Sequence, residues 1–132
     1  MATTESRAEV TVIKDAESER PIPTAWRNVI KSIVSSFVRH DYQLTANIPR
    51  VAPVQSDTAE QIENYIKDYG VELIELPEET WDSSVCIWMG NRWDALIDLW
   101  SRSEGRSDLA LSLHVSETNN GFEFNIYMVY VP

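Results

Sequence analysis

After Gly70 the apolar residues change their spacing. Before it they recur every three or four positions, and after it they alternate. A chain that switches once from a period of 3.6 to a period of 2 carries its helices first and its sheet afterwards. That order defines an α+β fold, with two helices packed on one face of a four- to five-stranded antiparallel β-meander. Four strands are predicted over residues 84–89, 93–100, 109–115 and 122–131, and a shorter one over 71–76 is stopped by Pro77. The connectors at Gly90-Asn91, at residues 101–107 around Gly105 and at residues 118–121 have turn composition. Their brevity makes neighbouring strands antiparallel.

Strand parity tests this reading, because successive side chains point to opposite faces. Centring the first turn on Gly90-Asn91 sets Trp88 opposite Trp93 and Cys86 opposite Ala95. Centring the second on Glu104 pairs Leu99 with Leu109, Ile97 with Leu111 and Ala95 with Leu113. Centring the third on Asn119-Asn120 pairs Val115 with Phe124, Leu113 with Ile126, Leu111 with Met128 and Leu109 with Tyr130. All of these residues fall on one apolar face, which the helices should cover. The opposite face is mixed: Asp94, Leu96, Asp98 and Trp100, then Asp108, Ala110, Ser112 and His114, then Glu123, Asn125, Tyr127, Val129 and Val131.

The first helix is predicted over 24–39, where Trp26, Val29, Ile30, Ile33, Val34, Phe37 and Val38 form one wide stripe. Pro49 and Pro53 keep residues 42–55 extended or looped, with a short strand near 42–46. Asp57-Thr-Ala-Glu60 resembles a capping box and starts the second helix, 58–69. Ile62, Tyr65, Ile66 and Tyr69 form its inner side, and Gly70 ends it. Residues 1–20 are polar, charged and without glycine, and are read as a mobile tail in front of a single domain over 21–132. Within that tail, residues 9–14 (EVTVIK) alternate enough to add an edge strand.

A net charge of −10 argues against nucleic acid and acidic membrane surfaces as partners. No apolar run approaches the roughly 20 residues of a membrane helix. With a polar start and one cysteine, the reading is a cytoplasmic protein in which Cys86 is a buried free thiol. The acid is clustered: nine carboxylates from Asp57 to Asp82 stand against Lys67 alone, whereas residues 21–50 are net positive. A solvated face is the bland explanation. The sharper one is a docking surface for a basic protein partner, with Glu75, Glu78, Glu79 and Asp82 as its charges and Trp81 as its anchor.

Other chemistry is thin. Asp94, Ser112 and His114 are the only residues of catalytic type that parity brings together, and nothing marks an oxyanion hole or nucleophile elbow, so no catalytic residue is named. A cross-strand Asp94–His114 pair worth under about 1 kcal/mol is the expectation. Two histidines and one cysteine, widely spaced, match no zinc pattern, the Glu78–Glu79–Asp82 loop lacks the calcium-loop ligands, and no metal or cofactor is expected. Arg102 and Arg106 in the SRSEGRS turn either grip an anion or belong to a solvated loop. A second functional expectation is a small-ligand or enzymatic site on the open sheet face around Asp94, Asp98, Trp100, His114 and Tyr127. A third is a homodimer through that face, where Leu96, Trp100, Val129 and Val131 are apolar.

The segments ELPEETWDSSVCIW, WDALIDLWSRSEGRSDLALSLHV and FNIYMVYVP resemble a family of short bacterial domains of unknown function, over about the last two thirds of the chain. The tryptophan-bearing strand, the Ser-Asp-Leu-x-Leu segment and the closing Val-x-Val-Pro carry the likeness. It implies no catalytic residues. In class, as a small acidic α+β protein, the chain is also similar to immunity proteins that neutralise bacterial toxins, which implies a basic toxin as partner.

Overall fold

The computed structural model describes residues 7–132. Its elements, in chain order, are β1 (Arg20–Pro21), α1 (Thr24–Val38), α2 (Ser56–Tyr69), a 3-10 turn (Glu78–Asp82), β2 (Val85–Trp88), β3 (Trp93–Ser101), β4 (Gly105–Thr118) and β5 (Gly121–Tyr130). The strands form one antiparallel sheet in the order β1-β2-β3-β4-β5. The α+β meander read from the period switch is therefore the architecture. No helix among the described residues is long and apolar enough to cross a membrane.

The stripe on α1 is buried as its spacing dictates, through Trp26, Ile30, Ile33, Val34 and Phe37. Trp26 lies at the centre, edge-on to Trp93 at 5.4 Å, Phe122 at 5.5 Å and Phe124 at 6.0 Å, a geometry that sets the positive rim of one ring against the face of another. Pro23 precedes the first turn, and no side chain of the helix caps it. Instead the Thr24 N–H donates to the Val10 carbonyl (2.9 Å), and the Val10 N–H donates to Thr24 Oγ1 (2.7 Å). The segment read as a tail thus makes part of the helix start.

Residues 9–14 form no strand; the edge strand is Arg20–Pro21, joined by the Trp88 N–H donating to the Asp15 carbonyl at 3.3 Å. The indole of Trp93 donates to the Ile13 carbonyl (3.0 Å), and Lys14 lies over Trp88 and pairs with Glu117. Residues 1–6, the rest of that tail, lie outside the described residues.

Helix α2 begins at Ser56, ahead of the expected start, with Gln55 at the cap, and among the described residues the Asp57 carboxylate accepts only from its neighbour Thr58. Ala59, Ile62 and Ile66 are buried. Tyr69 is half-buried against the core, and Tyr65 is exposed. Each reaches over the sheet margin, where the Tyr65 hydroxyl accepts the Val131 N–H and the Tyr69 hydroxyl accepts the Asp108 N–H. Gly70 ends the helix at φ 87, the left-handed conformation in which a Cβ is penalised.

Residues 42–46 form no strand. Nor is 71–76 one: Leu73 and Leu76 are buried and Glu72 and Glu75 are exposed, a spacing of three rather than the two of a strand. The segment touches the sheet at one bridge, Leu73 to Ser101, and is tied there by Ile74 N–H to Trp100 O and Arg102 N–H to Glu72 O, both 2.9 Å. It clasps the end of β3 rather than running beside it.

Most registers read from the turns hold: Trp88 with Trp93, Cys86 with Ala95, Ala95 with Leu113, Ile97 with Leu111, Leu113 with Ile126 and Val115 with Phe124. They fail at two irregularities, on the turn side of the one in β3–β4 and on the far side of the one in β4–β5. Between Asp98 and Trp100 the ladder shifts, so Trp100 pairs with Arg106 and the expected Leu99–Leu109 pair is lost, though both leucines stay buried. Opposite Ser112 and Leu113 a second shift inserts one residue in β5. Leu111 then faces Val129 and Ala110 faces Tyr130. Val129, expected outside, is fully buried, while Met128 and Tyr130, expected inside, share the outer face with Ser112 and Ala110. One added residue reverses every side chain beyond it.

One margin of the sheet is the two-residue β1, and the other, β5, is partly covered. On the β5 side the Phe124 N–H donates to Arg50 O (2.8 Å) and the Ala52 N–H to Phe124 O (2.9 Å), and Gln61 covers Val129. Such cover shortens the unpaired row that recruits foreign strands.

Candidate functional site

Trp81 is not a surface anchor. It is 4% exposed, packed in the core beneath the Arg27 guanidinium, which stands 5.2 Å over its ring. Arg27 is held there by donating from Nε and Nη2 to the Ile22 carbonyl at 3.1 and 2.8 Å. A side chain so enclosed offers little contact area to a partner, which is at odds with its expected place as a surface anchor.

The acids around it are exposed but partly engaged. Glu78 pairs with Lys31 (3.3 Å) and Arg7 (3.9 Å), Asp82 pairs with Arg7, and Glu75 accepts the Ser35 hydroxyl. Glu72 takes Arg102 at 3.2 Å, so this arginine of the SRSEGRS turn already holds an anion within its own chain. Among the described residues no ion pair forms at Glu79, Asp57, Glu60, Glu63 or Asp68. Four of these five carboxylates belong to α2. The uncompensated charge therefore lies nearer the second helix than the sequence reading placed it.

At the C-terminal end of α2 is a cleft of about 550 Å³. Phe37 and Val38 from the end of α1, and Ile66, Lys67 and Gly70 from the end of α2, line it together with His40, Tyr42, Glu63, Glu72 and Leu73. Its volume falls in the range of ligand clefts, roughly 300–1,000 Å³. Two helix carboxyl ends meet here, each equivalent to about half a negative charge. The Gly70 N–H serves the Ile66 carbonyl at 3.1 Å, and no basic residue occupies the last turn of α1. An adjoining hollow of about 280 Å³ shares His40, Tyr42 and Glu63 and adds Asp41 and Glu60. Four side-chain carboxylates of the two hollows thus stand against Lys67.

One wall is aromatic. Tyr42 stacks on Phe37 at 5.8 Å and 30°, and His40 tilts against Tyr42 at 6.0 Å. Burial, with the Glu63 carboxylate nearby, raises the Tyr42 phenol above its ordinary pKa. The Thr45 N–H (3.1 Å), with the Thr45 hydroxyl (3.0 Å), holds Asp41 below the usual carboxylate range. The loop that carries the wall is also conformationally costly. His40 in the wall, and Leu44, Asn47 and Arg50 beyond it, all have positive φ, a geometry disfavoured by about 1–2 kcal/mol for residues with a Cβ. The sequence carries no signal for this: glycine is the usual residue after a helix end, and here His40 stands there.

The open sheet face brings together only part of its expected set. Asp94 pairs with His114 in register, with His114 Nε2 3.7 Å from Asp94 Oδ1, and His114 stacks on Tyr127 at 4.6 Å. The stronger partner of Asp94 is Arg92, whose Nε donates at 2.8 Å. Burial, then Arg92, lowers the His114 pKa against the pull of Asp94, which disfavours the imidazolium and weakens the expected Asp94–His114 ion pair.

Asp98 is drawn away by Ser83, whose hydroxyl donates to its carboxylate, and Trp100 lies six residues along β3 from Asp94, about 20 Å away. A hollow of about 190 Å³ beside Asp94 and Leu96 does not reach His114 or Tyr127. Among the described residues no three of His, Cys, Asp and Glu are placed to share a metal ion. Cys86 is buried as expected, and burial pushes its thiol up to about 11.

The chain belongs to the family described as Domain of unknown function (DUF7668), which matches residues 34–132. That span contains the cleft, the acidic helix and β2 to β5, and leaves out residues 1–33. No curated protein and no solved structure matches the chain.

Proposed function

We propose that this member of the DUF7668 family is a non-enzymatic acidic binding protein whose partner is a basic protein, received across the outer side of α2 and the cleft at its C-terminal end. One observation carries the reading: after Arg7, Lys31 and Arg102 have compensated the acids near them, Asp57, Glu60, Glu63 and Asp68 stay without an ion pair among the described residues, beside a cleft flanked by two helix carboxyl ends. Exposed like charges gathered on one face raise the encounter rate with an oppositely charged protein and select against acidic ones. The attraction is screened beyond about 8 Å at physiological salt, so it weakens as salt rises. In the finer form of this reading the partner is a basic toxin that the protein neutralises. Charge complementarity supports that form.

The test compares two triple variants that change net charge equally. Glu60→Lys, Glu63→Lys and Asp68→Lys together alter the proposed face; Glu17→Lys, Glu19→Lys and Glu123→Lys alter exposed acids elsewhere. The wild-type protein is cross-linked in extract of its source cells, and the captured protein is identified, purified and titrated against both variants. A basic partner that binds the first variant at least about tenfold more weakly, and the second within about threefold of wild type, supports the reading. Capture of no basic protein, or equal loss in both variants, overturns it.

A further inference from the structure

We infer that the cleft between the carboxyl ends of α1 and α2 holds an arginine side chain of the basic partner, with Glu63 as its carboxylate and the Tyr42–Phe37 stack as its platform. The inference rests on the basic-partner reading and narrows it to one site and one side-chain chemistry. A guanidinium is flat, permanently charged and weakly hydrated. It is held best where a carboxylate meets its edge and an aromatic ring its face. The cleft has both. The stacked pair of Tyr42 and Phe37 forms the wall, with His40 tilted against it. Glu63 has no ion pair among the described residues. On the same rim, Glu72 already takes Arg102 through its Nε and Nη2, at 3.2 and 3.4 Å.

Other occupants fit less well. An anion would face the negative ends of both helices together with Glu63 and Glu72. A neutral aromatic group would cover Phe37, Ile66 and Leu73 but leave the Glu63 carboxylate uncompensated. A lysine ammonium is more strongly hydrated and has no flat face to lay on Tyr42. Lys67 is the one lysine or arginine among the lining residues. It is exposed and one turn beyond Glu63 on the same helix, so its long side chain has room to turn outward when a guanidinium enters. The volume, about 550 Å³, accommodates a side chain together with its flanking backbone.

The full chain, labelled with nitrogen-15, is titrated with Nα-acetyl-arginine amide, and in parallel with the matching lysine and citrulline amides. Citrulline keeps the shape and loses the charge. Saturable shifts of the His40, Gly70 and Val71 amides are expected with arginine, weaker ones with lysine and none with citrulline. Glu63→Gln, an exposed and near-isosteric change, should weaken arginine binding about fivefold or more while leaving amide shifts on β3 and β4 in place. Equal shifts with citrulline, or arginine shifts spread over Glu17, Glu117 and Glu123 instead of the cleft, would overturn the assignment. If lysine-reversed Glu60, Glu63 and Asp68 abolish partner binding but arginine does not saturate the cleft, the basic-partner reading stands and the arginine site falls. If arginine saturates the cleft and the reversals leave the partner bound, the site stands and that reading falls.

Discussion

Gln61 completes the sheet at Val129. Its side-chain amide donates to the Val129 carbonyl at 2.7 Å and accepts the Val129 N–H at 3.3 Å, the two bonds that a neighbouring strand would otherwise make. Val129 is the residue that the β5 irregularity turned into the core, so its backbone sits at a margin with α2 packed alongside. Gln61→Leu leaves both backbone groups without that partner and should destabilise the fold by about 1–3 kcal/mol. Urea unfolding monitored by tryptophan fluorescence measures this. A loss below about 0.5 kcal/mol would show that water replaces the amide at no cost.

Trp81 and its surroundings are structural, and the two roles separate by substitution. Trp81→Ala should cost about 3–5 kcal/mol, as for other large buried aromatics. Trp81→Phe should cost less, because the indole N–H it removes has no hydrogen-bond partner among the described residues. With the purified partner, Trp81→Phe should bind as wild type does; weakened binding at unchanged stability would return Trp81 to the interface.

His40 holds a left-handed conformation, φ 64, immediately beyond the end of α1. His40→Gly relieves the Cβ conflict and should raise stability by about 1 kcal/mol. It also removes one ring of the cleft wall, so arginine binding in the cleft should weaken in the same variant. Thermal unfolding and the arginine titration read the two effects separately, and their opposite signs distinguish a wall kept for binding from one kept for stability.

The His114 pKa lies below 6.5, mainly because burial disfavours the imidazolium. The unfolded chain therefore binds this proton at a higher pH than the folded chain does. The sign follows: stability is full above pH 6.5 and falls as pH drops below that value towards the folded-state pKa. Asp15 and Asp41, held below 3.8, lose their contributions only under more acid conditions, so the histidine step is separate. His114→Gln should flatten the stability profile between about pH 5 and 6.5. A slope there unchanged by the substitution would assign it to other groups.

The cluster of acids between Asp57 and Asp82 was legible as composition, but its effective charge was not. Lys31 and Glu78 are 47 positions apart, and Arg102 and Glu72 are 30 apart. Neither pairing leaves a mark in the local sequence. The cleft was missed for the same reason. Its walls are the ends of two helices and a loop whose positive-φ residues are not glycines, so no motif announces it.

The period switch at Gly70, the stripe on α1 and the alternation of the strands were enough to set the fold class, the helix spans to within two residues and the registers of β2 with β3, of the middle of β3 with β4 and of β4 with the start of β5. These are local properties: a repeat of 3.6 or 2 is written in consecutive residues, and a short turn admits few pairings. The far end of β5 lay beyond that logic. Tyr127, Met128, Val129 and Tyr130 are all apolar or aromatic, so either parity satisfies the pattern, and only packing against α2 and Gln61 decides which residue turns inward. Charge compensation and the cleft were likewise settled in three dimensions, because both depend on which distant side chains the sheet and its two helices bring within a few ångströms of each other.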